Sequence, residues 1–462
     1  MSQAAKNTII VGGGISGLSA AYDLTRAGIP CSILERQPRV GGVIETRVTD
    51  GCTLECGPDS FITQKPEALA LIKELGLQED VIGSNDRERR TYIWKREHLV
   101  QLPEGVMMIV PSRVMPMVKS PLLGWGTKIR MGLEYFRKPG GSPTDGQDRS
   151  VADFVTDHFG QETLDYLAEP LLSGVYGGDP ARLSIASVLP RFLQMEAKYG
   201  SLVRGVLASK KEAARAKPGQ TGTLFQTLKS GLGTLVQTLA AGVSVTHAEA
   251  TAMECVPGAG FRLAVAGEWV PAANVVLACP AWSAARLLQS VDGRLAELLS
   301  GIEYSSSVTL SLIYRAQDFD GFRAGHGFLV PKKERERLAA CTYVGTKFLN
   351  RIPEDRIALR CFFGGIGDAK VLEESDESLI AIARDELRRM VGLTASPIAH
   401  VISRWPKSMA QYTVGHAKRV EEIRARAEAI PGLYLAGNAY EGIGIPDCIR
   451  TGRAAAKRIV AS

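Results

Sequence analysis

The chain opens on a short apolar run, Ile9 to Val11, that leads into Gly12-x-Gly14-x-x-Gly17 and an alanine-rich stretch reaching about Arg26. Gly28 breaks that stretch, and a second apolar run ends on Glu35. Strand, glycine turn, helix and strand in this order predict a parallel βαβ unit. Helical spacing recurs in Val151-x-x-Phe154-Val155-x-x-His158-Phe159, part of a helical region from Ser150 to Arg191. After Gly231-Leu-Gly233 a helix, the strand Val243-Ser-Val, a hairpin from Phe261 to Val270 and the run Val275 to Ala278 predict a return to the first domain. Alternation in Val308-x-Leu310-x-Leu312, Phe328 to Val330 and Ile357 to Phe363 predicts an antiparallel sheet. The expected class is α/β: a discontinuous Rossmann-like domain (1–85, 221–300 and 421–462), a helical region (86–220) and an inserted α+β sheet domain (301–420).

Each glycine of the first turn has a physical reason. Gly12 permits the tight strand-to-helix turn, Gly14 lets the backbone approach a pyrophosphate, and Gly17 lets helix pack on strand. The helix start offers free N–H groups and a positive dipole end to phosphate. Glu35 stands where an acid would bind both hydroxyls of an adenosine ribose. Arg39-Val-Gly41-Gly42 follows closely, and a second glycine pair allows another close backbone approach.

Composition excludes several classes. With 55 basic and 49 acidic residues the net charge is +6, too weak and dispersed for a nucleic-acid binder. The 8 cysteines show no C-x-x-C pair, and the 6 histidines show no ligand spacing, so no metal is expected and the thiols read as reduced, in a cytoplasmic protein. The first strand begins too early for a secretory leader, and no uncharged run reaches the ~18 residues of a membrane span. Residues 101–136 hold five methionines (107, 108, 115, 117 and 131) among Ile109, Val110, Leu122, Leu123, Trp125 and basic residues. Such a segment suits a flat apolar ligand or a peripheral lipid contact on the inner face of the cell membrane, and equally suits core packing.

A second glycine-rich turn closes the chain: Leu433-Tyr-Leu-Ala-Gly437-Asn-Ala-Tyr-Glu-Gly442-Ile-Gly444-Ile-Pro446-Asp447. Proline suits a first helical turn and Asp447 complements the dipole there. N–H groups around Gly444 and Ile445, placed at the N1/O2 edge of a flavin, would favour the negative charge that appears on reduction.

Together with Gly57-Pro58-Asp59-Ser60-Phe61, Leu172-Ser-Gly174-Val-Tyr-Gly-Gly-Asp179 and Gln411-Tyr412-x-x-Gly415-His416, these turns resemble the oxygen-dependent porphyrinogen oxidases of haem synthesis, on an amine-oxidase-like flavoprotein fold. The resemblance spans nearly the whole chain and implies FAD. It places the cofactor against Gly12, Gly13, Gly14, Ile15, Ser16 and Gly17, then Glu35, Arg36 and Gly42, and the loop Gly57, Pro58, Asp59 and Ser60. Ala250, Asn438, Ile443, Gly444 and Ile445 complete the implied contacts. For substrate it implies Gly174 beneath a flat ring, Leu329 and Phe362 as apolar walls, and Arg90 or Lys65 meeting a propionate, with Arg90 favoured. The implied reaction removes six hydrogens from protoporphyrinogen IX or coproporphyrinogen III in three two-electron steps and gives H2O2 from O2. No acid–base residue need exist; Tyr412, His416 and Cys448 read as packing or hydrogen-bonding groups. A flavin amine oxidase or carotenoid desaturase is the rival enzyme, and a non-catalytic binder the rival of another class. A homodimer is left open.

Overall fold

The computed structural model describes residues 7–107, 109–139, 148–215, 223–319 and 324–462. Met108 of the Met-rich segment lies outside these residues. The opening strand Thr8–Val11 is central in a five-stranded parallel sheet. It pairs with Cys31–Leu34 on one side and Asn274–Leu277 on the other. Ser244–Thr246 and Leu433–Leu435 add the two edges. The sheet therefore draws strands from the beginning, middle and end of the chain.

The two helices that follow glycine turns, Ile15–Arg26 and Ile445–Ala461, pack directly on each other. Gly452 makes this possible, because a Cβ there would lie 2.1 Å from the Ser16 carbonyl oxygen. Buried Leu18, Ala21, Ile33, Val276 and Ile449 form the core between sheet and helices.

The second sheet has seven strands, ordered His98–Gln101, Thr91–Lys95, Gly327–Leu329, Leu338–Tyr343, Arg356–Gly365, Tyr304–Arg315 and Ala399–Ala410. Two of these strands come from the 86–220 segment, which also carries a short hairpin of Val106–Met107 with Val110–Pro111 before its helices, and Thr91–Lys95 runs parallel to Gly327–Leu329. Backbone pairing across more than two hundred residues has no local signal, which is why the sequence alone leaves this segment out of the sheet.

One face of the large sheet is a greasy core containing Val308, Leu310, Leu312, Leu359, Cys361 and Phe363. The alternate positions face the other way. They include Ser307, Thr309, Ser311, Arg360 and Phe362. That second face borders the Gly57 loop, where Thr309 and Arg360 donate to the Cys56 and Gly57 carbonyls.

The Met-rich segment divides between its two readings. Met117, Met131, Ile109, Val110, Leu122 and Leu123 are buried, whereas Trp125, Ile129, Leu133 and Phe136 are 60–74% exposed. No helix among the described residues is long and apolar enough to cross a membrane.

Candidate active site

The opening turn forms an open cradle. A Cβ on Gly12 would stand 2.8 Å from the Ala278 carbonyl oxygen, and one on Gly17 would stand 2.0 Å from the Gly12 carbonyl oxygen. Those two glycines are required by the protein itself. Gly14 differs: its φ of −70° and ψ of 175° suit any residue, and a Cβ there would meet nothing within 4 Å. The space beside Gly14 at the start of helix Ile15–Arg26 is the shape a pyrophosphate needs.

Glu35 is buried, and its Oε2 and Oε1 accept the N–H groups of Gly13 (2.7 Å) and Gln37 (2.8 Å). These bonds orient the carboxylate and use about two of its four acceptor positions, leaving the others for ribose hydroxyls. Gly41 N–H donates to the Gly13 carbonyl at 2.7 Å, and a Cβ on Gly42 would press on Gly14 Cα at 3.3 Å. The glycine pair after Arg39 thus builds the wall of the cradle. Arg36 lies against the ring of Trp282 at 5.3 Å, and Ala250 is buried where the Ala250–Val256 strand begins.

The Gly57–Ser60 loop is fixed from below. A Cβ on Gly57 would overlap the Val43 carbonyl. Asp59 is bound to Lys347 at 2.7 Å and accepts from the Ser60 hydroxyl at 2.7 Å. Burial pushes the Asp59 carboxyl up, but Lys347 and Arg360 together hold it well below the carboxylate range. Its side chain is therefore an anchor, and the backbone of the loop is what remains for a ligand. The Arg360 guanidinium donates to the Gly57 carbonyl and lies 4.7 Å from the Phe362 ring.

The closing turn is electrostatically different. Gly444 caps the helix Ile445–Ala461, Pro446 occupies its first turn, and buried Asp447 follows. Lys65 Nζ donates to both Asp447 oxygens at 2.7 and 2.6 Å. Asn438 is held through its side-chain N–H to the Ser408 carbonyl at 3.0 Å.

Leu329, Ala340, Phe362 and Thr309 pair in register across four neighbouring strands, so their side chains share one face. Thr309 donates to the Cys56 carbonyl at 2.6 Å, tying one end of this row to the Gly57 loop. At the other end a Cβ on Gly174 would lie 3.4 Å from Leu329. Leu329 and Phe362, distant in sequence, thus share one sheet face that is tied to the Gly57 loop, and Gly174 packs against its Leu329 end. Arg90 precedes the Thr91–Lys95 strand, is about half exposed, and has Glu88 at 3.4 Å.

Three residues read from the sequence as packing groups occupy structural positions. Burial holds the His416 imidazole down at about 4 and the Cys448 thiol up at about 12. The Tyr412 hydroxyl is pushed far above its ordinary range by burial. A His158–Glu196–Asp157 cluster has metal-like proximity, but its carboxylates are bound by Arg137 and Arg149, which makes it an ion-pair network.

Residues 15–460, nearly the whole chain, match the profile of the flavin-containing amine oxidoreductases. The chain belongs to that family. A flavin bound in a dinucleotide cradle is FAD, and the open space at Gly14 with oriented Glu35 fits it. A Bacillus subtilis (strain 168) protein named coproporphyrinogen III oxidase is 32% identical over 98% of this chain and 98% of its own. The Arabidopsis thaliana chloroplastic protoporphyrinogen oxidase 1 is 28% identical over 96% of this chain and 85% of its own. A crystal structure from Exiguobacterium sp. 255-15 superposes with a TM-score of 0.87 at 30% identity, covering 100% of this chain and 99% of that one. Other flavin amine oxidoreductases share the fold at greater distance: wild-type putrescine oxidase has a TM-score of 0.69 at 19% identity, covering 99% of each chain.

Proposed function

We propose that this flavoprotein oxidises a porphyrinogen to the porphyrin at the expense of O2, with coproporphyrinogen III as the preferred substrate. The observation that carries this reading is the apolar row Leu329–Ala340–Phe362, which shares one sheet face and is tied through Thr309 to the Gly57 loop. A flat apolar face of this kind suits a planar macrocycle better than an amine, which would call for an aromatic cage. The full-length relatives bearing the coproporphyrinogen name support the substrate choice.

FAD supplies two-electron oxidation and delivery of electrons to O2 as H2O2, so three turnovers complete a porphyrin. The protein supplies position. Gly12 to Gly17, Glu35 and Gly42 would hold the dinucleotide, and the backbone of Gly57–Ser60 with Ile443–Ile445 would be left for the flavin. Arg36, Ala250 and Asn438 complete the cofactor contacts. The walls Leu329 and Phe362 exclude water, and Arg90 orients a propionate by charge-assisted hydrogen bonds. Holding the reacting C–H in place is worth up to ~7–11 kcal/mol. Lys65 is already bonded twice to Asp447, which favours Arg90 for the propionate.

The exposed residues Trp125, Ile129 and Leu133 lie four apart along the helix Trp125–Glu134 and Phe136 follows its end, just before Arg137 and Lys138, with Lys128 against the Trp125 ring at 4.7 Å. Aromatic and aliphatic side chains beside cations suit an anionic lipid surface, so the protein docks peripherally on a membrane. Co-sedimentation with phosphatidylglycerol vesicles but not phosphatidylcholine vesicles is expected; concentration-dependent dimerisation abolished by Phe136→Ser would instead make the stripe a subunit contact.

Oxidation rates on coproporphyrinogen III and protoporphyrinogen IX, measured side by side under air with porphyrin fluorescence and peroxide readout, test the catalytic reading. Absence of porphyrin from both would overturn it.

A further inference from the structure

Gln411 and Tyr412 are consecutive, both 2% exposed, and immediately follow the Ala399–Ala410 strand. They reach in different directions. The Gln411 amide donates to the Tyr176 carbonyl at 2.8 Å and to the Ser305 hydroxyl at 3.1 Å. Tyr176 ends the helix that carries Gly174. A Cβ on Gly178 would lie 2.4 Å from the side-chain Oε1 of Gln411, so the loop is shaped around this amide. The Tyr412 hydroxyl donates to the Asn438 carbonyl at 2.7 Å and accepts from the Gly442 N–H at 2.8 Å. Asn438 and Gly442 bracket the turn that delivers Ile443, Gly444 and Ile445. The Tyr412 ring is stacked on buried His416 at 4.1 Å and 12°. Its main-chain carbonyl accepts the Ser184 N–H at 2.7 Å, so the backbone between the two side chains is fixed as well.

We propose that Gln411 and Tyr412 are positioning residues that set the spacing between substrate and flavin. One side chain grips the substrate-side loop at Tyr176, the other grips the flavin-side loop at both ends, and a single peptide unit joins them. Neither performs acid–base chemistry. The Tyr412 proton and lone pair are both committed, and Gln411 has no titratable group. A buried donor or acceptor left unmatched by mutation is costly, so each loop relaxes when its grip is removed. Hydride-transfer geometry is steeply sensitive to such shifts: displacement by about 1 Å is worth roughly 100-fold in rate. The inference rests on the reading that the closing turn lies against the flavin.

The test uses the FAD-loaded enzyme. Tyr412→Phe is expected to retain stoichiometric FAD, to bind sulfite at the flavin about tenfold more weakly, and to change the visible circular dichroism of the flavin. Anaerobic flavin bleaching by coproporphyrinogen III should slow by at least about tenfold. Gln411→Leu, and the isosteric Gln411→Glu that lacks the donor, should slow bleaching by a similar factor while leaving sulfite affinity and circular dichroism at wild-type values. Hydrogen exchange at Gly442 in the FAD-loaded enzyme should accelerate in Tyr412→Phe and not in the Gln411 variants. Wild-type bleaching rates in the Gln411 and Tyr412 variants would overturn the proposal, as would equal spectroscopic effects from both positions. If Tyr412→Phe fails to fold, the two Gln411 variants decide the matter by the same bleaching criterion. Failure of the underlying placement looks different: Gly444→Val would then leave sulfite affinity and circular dichroism untouched. Failure of the substrate reading looks different again, since the wild-type flavin would not bleach with either porphyrinogen.

Discussion

The chain makes the same backbone device twice, a strand ending in glycines and then a helix, and charges the two copies differently. The opening helix Ile15–Arg26 has no acidic residue in its first turn, and the position beside Gly14 is empty of protein atoms. The closing helix Ile445–Ala461 carries buried Asp447 in its first turn, and a Cβ on Gly444 would meet that carboxylate at 3.2 Å. Lys65 then balances Asp447. A helix start facing a permanent dianion needs its full positive end. In the placement proposed above, the closing helix start would face a flavin edge that is neutral when oxidised and negative when reduced, and the Asp–Lys pair would temper the field there without abolishing it. On that placement the two turns differ as a clamp differs from a tuned neighbour.

The largest expected effect breaks the opening copy. Gly14→Val should lose FAD affinity by about 100-fold or more, because the side chain fills ligand space, while the fold loses only about 1 kcal/mol as a poorer helix cap. Gly17→Ala should do the reverse, since its Cβ meets the Gly12 carbonyl at 2.0 Å. There the fold itself should lose about 3 kcal/mol or more. Flavin absorbance after desalting, with urea unfolding of each apoprotein, separates the two outcomes; equal stability loss in both variants would remove the distinction.

Acid should loosen the closing copy selectively. Burial lowers the His416 imidazole from 6.5 to about 4. The unfolded chain therefore binds more protons than the native one between those values. The stabilisation from His416 is fully present above pH 6.5 and is lost as pH falls toward 4, an amount of about 3 kcal/mol. Because His416 stacks under Tyr412, hydrogen exchange at Gly442 should quicken over this window before exchange in the opening turn does. His416→Phe keeps the stack without the titration and should flatten the acid slope of the thermal midpoint.

Lys65→Met tests the tuning. It leaves the Asp447 carboxylate buried beside the helix start with only Arg450 near, at 3.7 Å. Lys65 is half exposed, so the stability loss is discounted to about 1–2 kcal/mol. The flavin midpoint potential should become more negative, and Lys65→Met/Asp447→Asn should restore it. A potential unmoved by the single substitution would mean that the pair does not face the flavin.

The two glycine turns were legible because each lies within a score of residues and every glycine has a local reason. The parallel strands were legible for the same reason. The apolar row was not. Leu329, Ala340 and Phe362 share a face only through pairing of separate strands, and the apolar alternation of Val308, Leu310 and Leu312 drew the reading to the core side. The polar alternation between them, Ser307, Thr309 and Ser311, was the available signal for a face turned to the cofactor side. Lys65 and Asp447 are 382 residues apart, so no spacing rule could join them. Gln411 and Tyr412 stood out as a motif, yet their partners are backbone groups, which carry no residue identity to read.

The contrast between the turns also bears on the proposal that Arg90, not Lys65, meets the substrate. Lys65 belongs to the closing turn, where two short bonds to Asp447 satisfy it. Arg90 has one carboxylate at 3.4 Å and a guanidinium about half exposed at the end of the strand that pairs with Leu329. A substrate carboxylate would have to displace Asp447 from Lys65 but could share Arg90 with Glu88. Arg90→Ala is therefore expected to raise KM for coproporphyrinogen III by about five- to tenfold with little change in kcat, as loss of a contact made equally in ground and transition states requires. Arg90→Lys should recover part of the loss, because it keeps the charge but not the paired donors. If KM stays put in Arg90→Ala and rises instead in Lys65→Met at an unchanged flavin potential, the roles are exchanged: Lys65 then serves the propionate, and the closing turn does without its counter-charge whenever substrate is bound.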